Sequence, residues 1–207
     1  MKLVIFDCDG TLVDSELLCN LALEHQLSDL GLKCSADELL AKYRGGKLAS
    51  IISSLENEFS MIFPKSFEPE YRSKVNELFD KELVATDGIQ DVLDSLTIPF
   101  CIASSAPRAK IERALNVTGL SKYFENNIFS SYEVGSWKPE PDLFLHAAST
   151  MKVKPEYCAV VEDSLLGLEA ANQAKMKSIY YAPEETKVCG LADVQIRHMS
   201  ELIKHIT

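Results

Sequence analysis

Three short apolar runs in this chain each stop at polar residues capable of chemistry: LVIF before Asp7, FCIA before Ser104, and AVV before Glu162 and Asp163. Each run is bounded by turn residues and followed by a helical pattern, as in the strands of a parallel sheet covered on both faces. NIFS near Phe129 and SIYY near Tyr180 read as further strands. Helices are predicted at about Pro107 to Asn116, Pro141 to Met151 and Ser164 to Ala174. The first two open on a proline, whose missing N–H goes unnoticed in a first turn. Strand and helix alternate, which predicts an α/β chain built on a doubly wound, Rossmann-like parallel sheet. Ligands of such sheets bind beyond the carboxyl ends of the strands, where all three polar clusters fall.

Between Ser15 and Ala85 the pattern changes to helix after helix. Leu17, Leu18, Leu21 and Ala22 begin the first, and Gly31 is placed to end it. Ser35 with Glu38 is a capping box for a second, carrying Leu39, Leu40 and Tyr43. Leu48, Ile51, Ile52, Leu55 and Phe59 stripe a third, and Tyr71, Val75, Leu78 and Phe79 a fourth. These stripes are expected to be the core faces of a small bundle. The predicted organisation is a core of residues 1–14 and 86–207, with an all-α insert of residues 15–85. The sheet pattern is expected to resume near Asp87 and Gly88.

At 207 residues there is room for one ordinary domain and a smaller insert. No stretch approaches the ~20 apolar residues of a membrane span, and the apolar run of MKLVIF is too short for a signal peptide. The expected compartment is the cytoplasm. Cys8, Cys19, Cys34, Cys101, Cys158 and Cys189 form no CxxC pair and no zinc-type spacing with histidine, so they read as reduced thiols. A formal net charge of −10 argues against non-specific nucleic-acid binding. It also means that an anionic substrate would need a local cluster of cations and backbone donors.

DCDGT, Asp7 to Thr11, places two carboxylates at alternate positions past a buried strand, where residues two apart point the same way. Such a pair repels unless a cation or proton lies between, and magnesium, which takes oxygen ligands, is the natural candidate. Gly10 would let the backbone approach a phosphate, with successive N–H groups forming an anion nest. The plainer reading is an acidic Asp-Gly turn capping a helix.

Four sites in order resemble the haloacid dehalogenase superfamily: DCDGT, Ser104 after FCIA, Lys138 in WKPEPD, and Glu162-Asp163 after AVV. DSE at Asp14 to Glu16 resembles the superfamily's entry into a helical cap. Within it the chain is similar to the sugar-phosphate group of β-phosphoglucomutase and 6-phosphogluconate phosphatase; DSELLC, RGGKL and SWKPEPDLF lie nearer the second. The resemblance implies a magnesium-dependent phosphatase acting on a small phosphorylated metabolite through an aspartyl-phosphate. It implies Asp7 as nucleophile and Asp9 as general acid and then base. Ser104 and the N–H groups near Ser105 and Ala106 would hold phosphoryl oxygens, and Lys138 would neutralise charge on Asp7 and the transferring group. Asp7, the Asp9 carbonyl and Asp163 would hold the metal, with Glu162 as support or alternative. Arg44 and Lys47 in RGGK would contact a carboxylate or hydroxyls of the substrate. No nucleic-acid or membrane partner is expected, and the chain is expected to be a monomer or a weak homo-oligomer.

Taken singly, these residues have plainer readings. Ser104 could cap the following helix, Lys138 could be a solvated loop lysine, and Glu162 and Asp163 could be charges at a helix start. Arg44 and Lys47 could be ordinary surface cations. Lys175 stands where relatives often have a helix-ending glycine. Cys19 falls near the place of a histidine in β-phosphoglucomutase-like chains, and the nearest histidine, His25, lies nearly two turns further on. That favours hydrolysis, while a phosphate-transferring mutase and a non-catalytic binding protein on the same fold stay open as alternatives.

Overall fold

Leu3–Phe6 (β1) is buried at every position because it is the centre of a sheet with helices on both faces. The computed structural model describes residues 1–206. In it β1 lies between β2 (Phe100–Ser104) and β4 (Cys158–Glu162). β3 (Ile128–Ser130) flanks β2, while β5 (Lys177–Tyr181) and β6 (Val194–Ile196) continue beyond β4. The order of this six-stranded sheet is β3-β2-β1-β4-β5-β6, and all its pairs are parallel. Side chains alternate as a strand requires. Val4, Phe6, Ile102, Ala159 and Val161 join one core; Leu3, Ile5, Cys101, Cys158 and Val160 join the other. From β1 the chain runs outward to β3, then returns to β1's other side as β4. The strand order therefore reverses beside β1, and a crevice opens at the carboxyl ends there.

Four helices fill the excursion between β1 and β2: α1 (Glu16–Asp29), α2 (Ala36–Tyr43), α3 (Leu48–Glu58) and α4 (Phe67–Glu82). The capping box at α2 is present, with Ser35 and Glu38 satisfying each other's N–H groups. Gly31 follows α1 at φ +76°. The apolar stripes divide their work, however. Leu23, Leu27, Leu39, Leu55, Phe63 and Phe67 form a core inside the insert. Leu18 and Ala22 of α1 and Val75 and Phe79 of α4 instead join the core beneath the sheet. The insert is thus a helical cap tied to the sheet's own core. Its two crossings lie side by side: the Asp14 N–H donates to Val84 O at 3.1 Å, and the Thr86 N–H to Leu12 O at 3.0 Å.

The second half adds α5 (Ile89–Ser95), α6 (Arg108–Val117), α7 (Ser131–Val134), α8 (Asp142–Thr150), α9 (Leu165–Gln173) and α10 (Ile203–Ile206). Two expectations need correction. A helix, α5, follows Gly88, and the next strand begins only at Phe100. Pro107 and Pro141 stand one residue before the helices they were expected to open. β6 and α7, of three and four residues, were not read from the sequence: they are too short for periodicity and, unlike the equally short β3, carry no apolar run that was picked out. No helix among the described residues is long and apolar enough to cross a membrane.

Lys175, just past α9, has φ +57°, the left-handed conformation that glycine adopts without strain. Lys175→Gly is therefore expected to raise stability by about 1 kcal/mol. A higher urea midpoint at unchanged slope would show it; an unchanged midpoint would contradict it.

Candidate active site

Asp7 extends the β1 ladder by one bond, its N–H donating to Val161 O at 3.0 Å. The chain then turns sharply, with the Leu12 and Val13 N–H groups both donating to Cys8 O, at 2.9 and 3.1 Å. Gly10 makes the turn at φ +73°, and a Cβ built on it would lie 2.2 Å from an oxygen of Asp163. Close approach is what Gly10 provides. The neighbour it admits is the Asp163 carboxylate.

Lys138 lies in the loop between α7 and α8 and is 8% exposed. Its Nζ donates to Asp7 Oδ1 at 2.5 Å and to Glu162 Oε1. The second Glu162 oxygen accepts from the Ser164 N–H at 3.1 Å and hydroxyl at 2.8 Å. Ser164 in turn caps α9 by accepting from the Gly167 N–H at 3.1 Å. A Cβ on Gly167 would lie 1.9 Å from the Glu162 carboxyl carbon, so the helix closes directly onto this buried acid. Glu162 is thus held at both oxygens. Asp163 is not: among the described residues its ion-pair partner is Arg44, at 4.0 Å.

Carboxylate oxygens of Asp7, Glu162 and Asp163 lie within 4.8 Å of one another, and all three residues are buried. One lysine against three carboxylates leaves negative charge in excess. Burial, opposed by Lys138 and reinforced by Glu162, pushes Asp7 up to about 8. Burial, Glu16 and Glu162 push Asp163 well above the usual carboxylate range. Burial works against charge on Lys138, but Asp7 and Glu162 hold it above the ordinary lysine value. A cation would relieve this excess. An oxygen-only donor set suits magnesium or manganese rather than zinc. With Glu162 committed to Lys138 and Ser164, the oxygens that accept no hydrogen bond among the described residues are those of Asp163, which meets Arg44 at 4.0 Å, and the second of Asp7.

The Asp9 side chain stands outside this cluster. Each of its carboxylate oxygens accepts from Lys110 Nζ at 2.9 Å, and Oδ1 also accepts from Ser15 Oγ at 2.5 Å. Burial alone would raise Asp9, yet the Lys110 charge and the hydrogen bond from Ser15 hold it below the ordinary carboxylate value. Sequence reasoning missed Lys110. It lies on α6, 101 residues from Asp9 in the chain, and nothing local marks it off from a solvated helix lysine.

A cavity of about 120 Å³ opens beside these residues, walled by Asp7, Asp9, Lys138 and Ser104 from the core and by Tyr43, Tyr71 and Arg72 from the cap. Ser104 is buried, and its Oγ accepts from the Ala106 N–H at 3.1 Å, so that donor is engaged here. Ser105 also lines the cavity, and its buried Oγ has no hydrogen-bond partner among the described residues. Cys19 is on the wall, its thiol pushed up to about 12 by burial. Arg44 and Lys47 of the RGGK segment do not line this cavity. Arg44 turns to Asp163, and Lys47 Nζ sits 3.4 Å from the centre of the Trp137 ring. The cavity wall carries Gly45 and Gly46 from that segment, and Arg72 and Tyr132 from elsewhere.

Comparison with known proteins gives a consistent result. Residues 4–181 match the family described as haloacid dehalogenase-like hydrolase. The 6-phosphogluconate phosphatase of Escherichia coli is 34% identical over 205 residues, covering 98% of this chain and 93% of that protein. A phosphorylated carbohydrates phosphatase of Thermotoga maritima is 28% identical, covering 87% of this chain and 84% of its own length. Among solved structures, a conserved haloacid dehalogenase-like protein from Agrobacterium tumefaciens superposes with a TM-score of 0.85 at 30% identity, covering 100% of this chain and 97% of that one.

Proposed function

We propose that this chain, which belongs to the haloacid dehalogenase-like hydrolase family, is a magnesium-dependent phosphatase cleaving a small sugar or sugar-acid phosphate such as 6-phosphogluconate through an aspartyl-phosphate on Asp7. The observation that carries the reading is the buried set in which Lys138 joins Asp7 to Glu162 while Asp163, paired with Arg44 only at 4.0 Å, accepts no hydrogen bond among the described residues. The similarity to a 6-phosphogluconate phosphatase along nearly the whole chain supports the substrate class.

In this reading an Asp7 carboxylate oxygen attacks phosphorus, the ester P–O bond breaks, and the leaving alkoxide takes a proton from the Asp9 carboxyl. Asp9 must be protonated and released from Lys110 to do so. Ionised again and held by Lys110 and Ser15, it has the form required next, a base that takes a proton from the attacking water. The P–O bond to Asp7 then breaks and phosphate leaves. Ser104 and Ser105 would hold phosphoryl oxygens, joined by the Ala106 N–H once it leaves Ser104 Oγ, and Lys138 offsets their charge. Asp7 and Asp163, with the Asp9 carbonyl and with Glu162 as support, would hold magnesium, which when bound supplies positive charge to the transferring group. We take residues 15–85 as a cap closing over a core of residues 1–14 and 86–207, which favours compact substrates.

Phosphate release from p-nitrophenyl phosphate is expected to vanish on chelation and return with magnesium. Full activity after exhaustive dialysis against EDTA would contradict the metal assignment. Cys19 on the cavity wall favours hydrolysis over mutase chemistry, because a half-buried thiol cannot replace a bridging imidazole. Glucose 6-phosphate formed from β-glucose 1-phosphate with little free phosphate would instead assign a mutase. No turnover of any ester would favour a binding protein.

A further inference from the structure

Three basic side chains reach the cavity wall, and two are already committed. Lys138 is held by Asp7 and Glu162, and Lys110 by both oxygens of Asp9. Arg72 of α4 is bound to no carboxylate that the reaction uses. Its Nε and Nη2 donate to Glu68 Oε1 at 3.0 and 2.6 Å, one turn back on the same helix. The Glu68 side chain is 46% exposed and that of Arg72 33%, and exposed pairs of this spacing hold weakly and exchange readily. Nη2 also donates to the Tyr132 hydroxyl at 3.2 Å, while Nη1 makes no hydrogen bond among the described residues.

Tyr132 belongs to the core and also lines the cavity. Its hydroxyl accepts from Arg72, which leaves its own proton available for donation. The ring is braced edge-on by Trp137 at 5.3 Å, and Trp137 is the ring that Lys47 covers from the cap. Two cap cations therefore grip one aromatic pair of the core, and one of them, Arg72, faces the cavity. A substrate with its phosphoryl group at Asp7 presents its other end to the walls that the cap supplies.

We propose that Arg72 and Tyr132 together read a carboxylate at the end of the substrate opposite the phosphate, so that the preferred substrate is a phosphorylated sugar acid and not a neutral sugar phosphate. This rests on the phosphatase reading above. The planar guanidinium matches a carboxylate with two parallel N–H donors, and the substrate anion takes the place of Glu68. The Tyr132 hydroxyl adds a third donor. A neutral polyol end brings no charge to displace Glu68, so the site discriminates by what Arg72 would otherwise keep. Lys47 fixes the reader through Trp137 and is a positioning residue.

The test compares kcat/KM for 6-phosphogluconate with that for glucose 6-phosphate, which share the phosphate and differ at the far end. The wild-type protein is expected to prefer the acid. Arg72→Gln should lower that preference about 10- to 100-fold, the worth of lost charge-assisted hydrogen bonds, mainly through KM for the acid. Arg72→Lys should recover only part, because a point charge lacks the fork. Tyr132→Phe, which keeps the ring packed on Trp137, should lower the preference several-fold. In an Asp7→Asn background, calorimetric affinity for 6-phosphogluconate should weaken with Arg72→Gln by a similar factor, independently of turnover. A preference unchanged in Arg72→Gln, or a wild-type preference for the neutral sugar, would overturn the assignment while hydrolysis of p-nitrophenyl phosphate left the phosphatase reading intact. Absence of hydrolysis of every ester by the wild type would overturn both.

Discussion

Asp7→Asn is expected to fold normally and to release no measurable phosphate from any ester. The amide has the carboxylate's shape but neither its charge nor its nucleophilic oxygen, so no aspartyl-phosphate can form. The expected loss is on the order of 10⁴-fold or more, as for other enzymes deprived of their nucleophile. Folding should tolerate the change because Lys138 keeps Glu162 as partner and is not left as an unpaired buried charge. Relief of one carboxylate from a crowded group could even offset the lost ion pair, and thermal unfolding should show a small shift of either sign. Purified variant that retains activity within a hundred-fold of wild type would exclude Asp7 as the nucleophile.

Asp9→Asn is expected to lower turnover of sugar phosphates by about 10² to 10⁴, the usual worth of a general acid and base. The loss should depend on the leaving group. A sugar alkoxide needs a proton as it departs, whereas p-nitrophenolate does not, so where ester cleavage limits the rate the aryl ester should suffer less. Asparagine also removes the charge that Lys110 holds with two 2.9 Å bonds. The Lys110 side chain is 21% exposed and can take water instead, so the fold should survive. An Asp9→Asn variant matching wild type on sugar phosphates at every pH would show that the proton comes from elsewhere.

Much of the scaffold was legible because its signals are local. LVIF, FCIA and AVV became β1, β2 and β4 as continuous apolar runs, as strands buried on both faces must. The capping box at Ser35 and the end of α1 at Gly31 are set by groups within a turn of each other. The acidic pair at the end of β4 and Asp7 after β1 were brought together at the sheet's reversal, as strand alternation predicts, while the Asp9 side chain turned to Lys110. Less legible was anything set by contact between distant segments. RGGK marked Arg44 and Lys47 as cations near a glycine turn, but motif and spacing do not say which way a long side chain lies. One turned to Asp163 and the other to Trp137. Arg72 and Tyr132 carried no motif at all.

The acids and the lysine of the site were picked out by resemblance to a family; by itself the sequence determined the alternation of strand and helix and the run of helices between β1 and β2. Those depend on periodicity, capping and turn chemistry, which act over a few residues. Only the tertiary structure decided which charge answers which. Lys110 meets Asp9 because α6 lies against the carboxyl end of the sheet, and Arg72 faces the cavity because α4 crosses from the cap into the main core. Ion pairing falls off within a few ångströms and depends on the burial of both partners. It is therefore fixed by where whole elements pack, a property that no short window of residues contains.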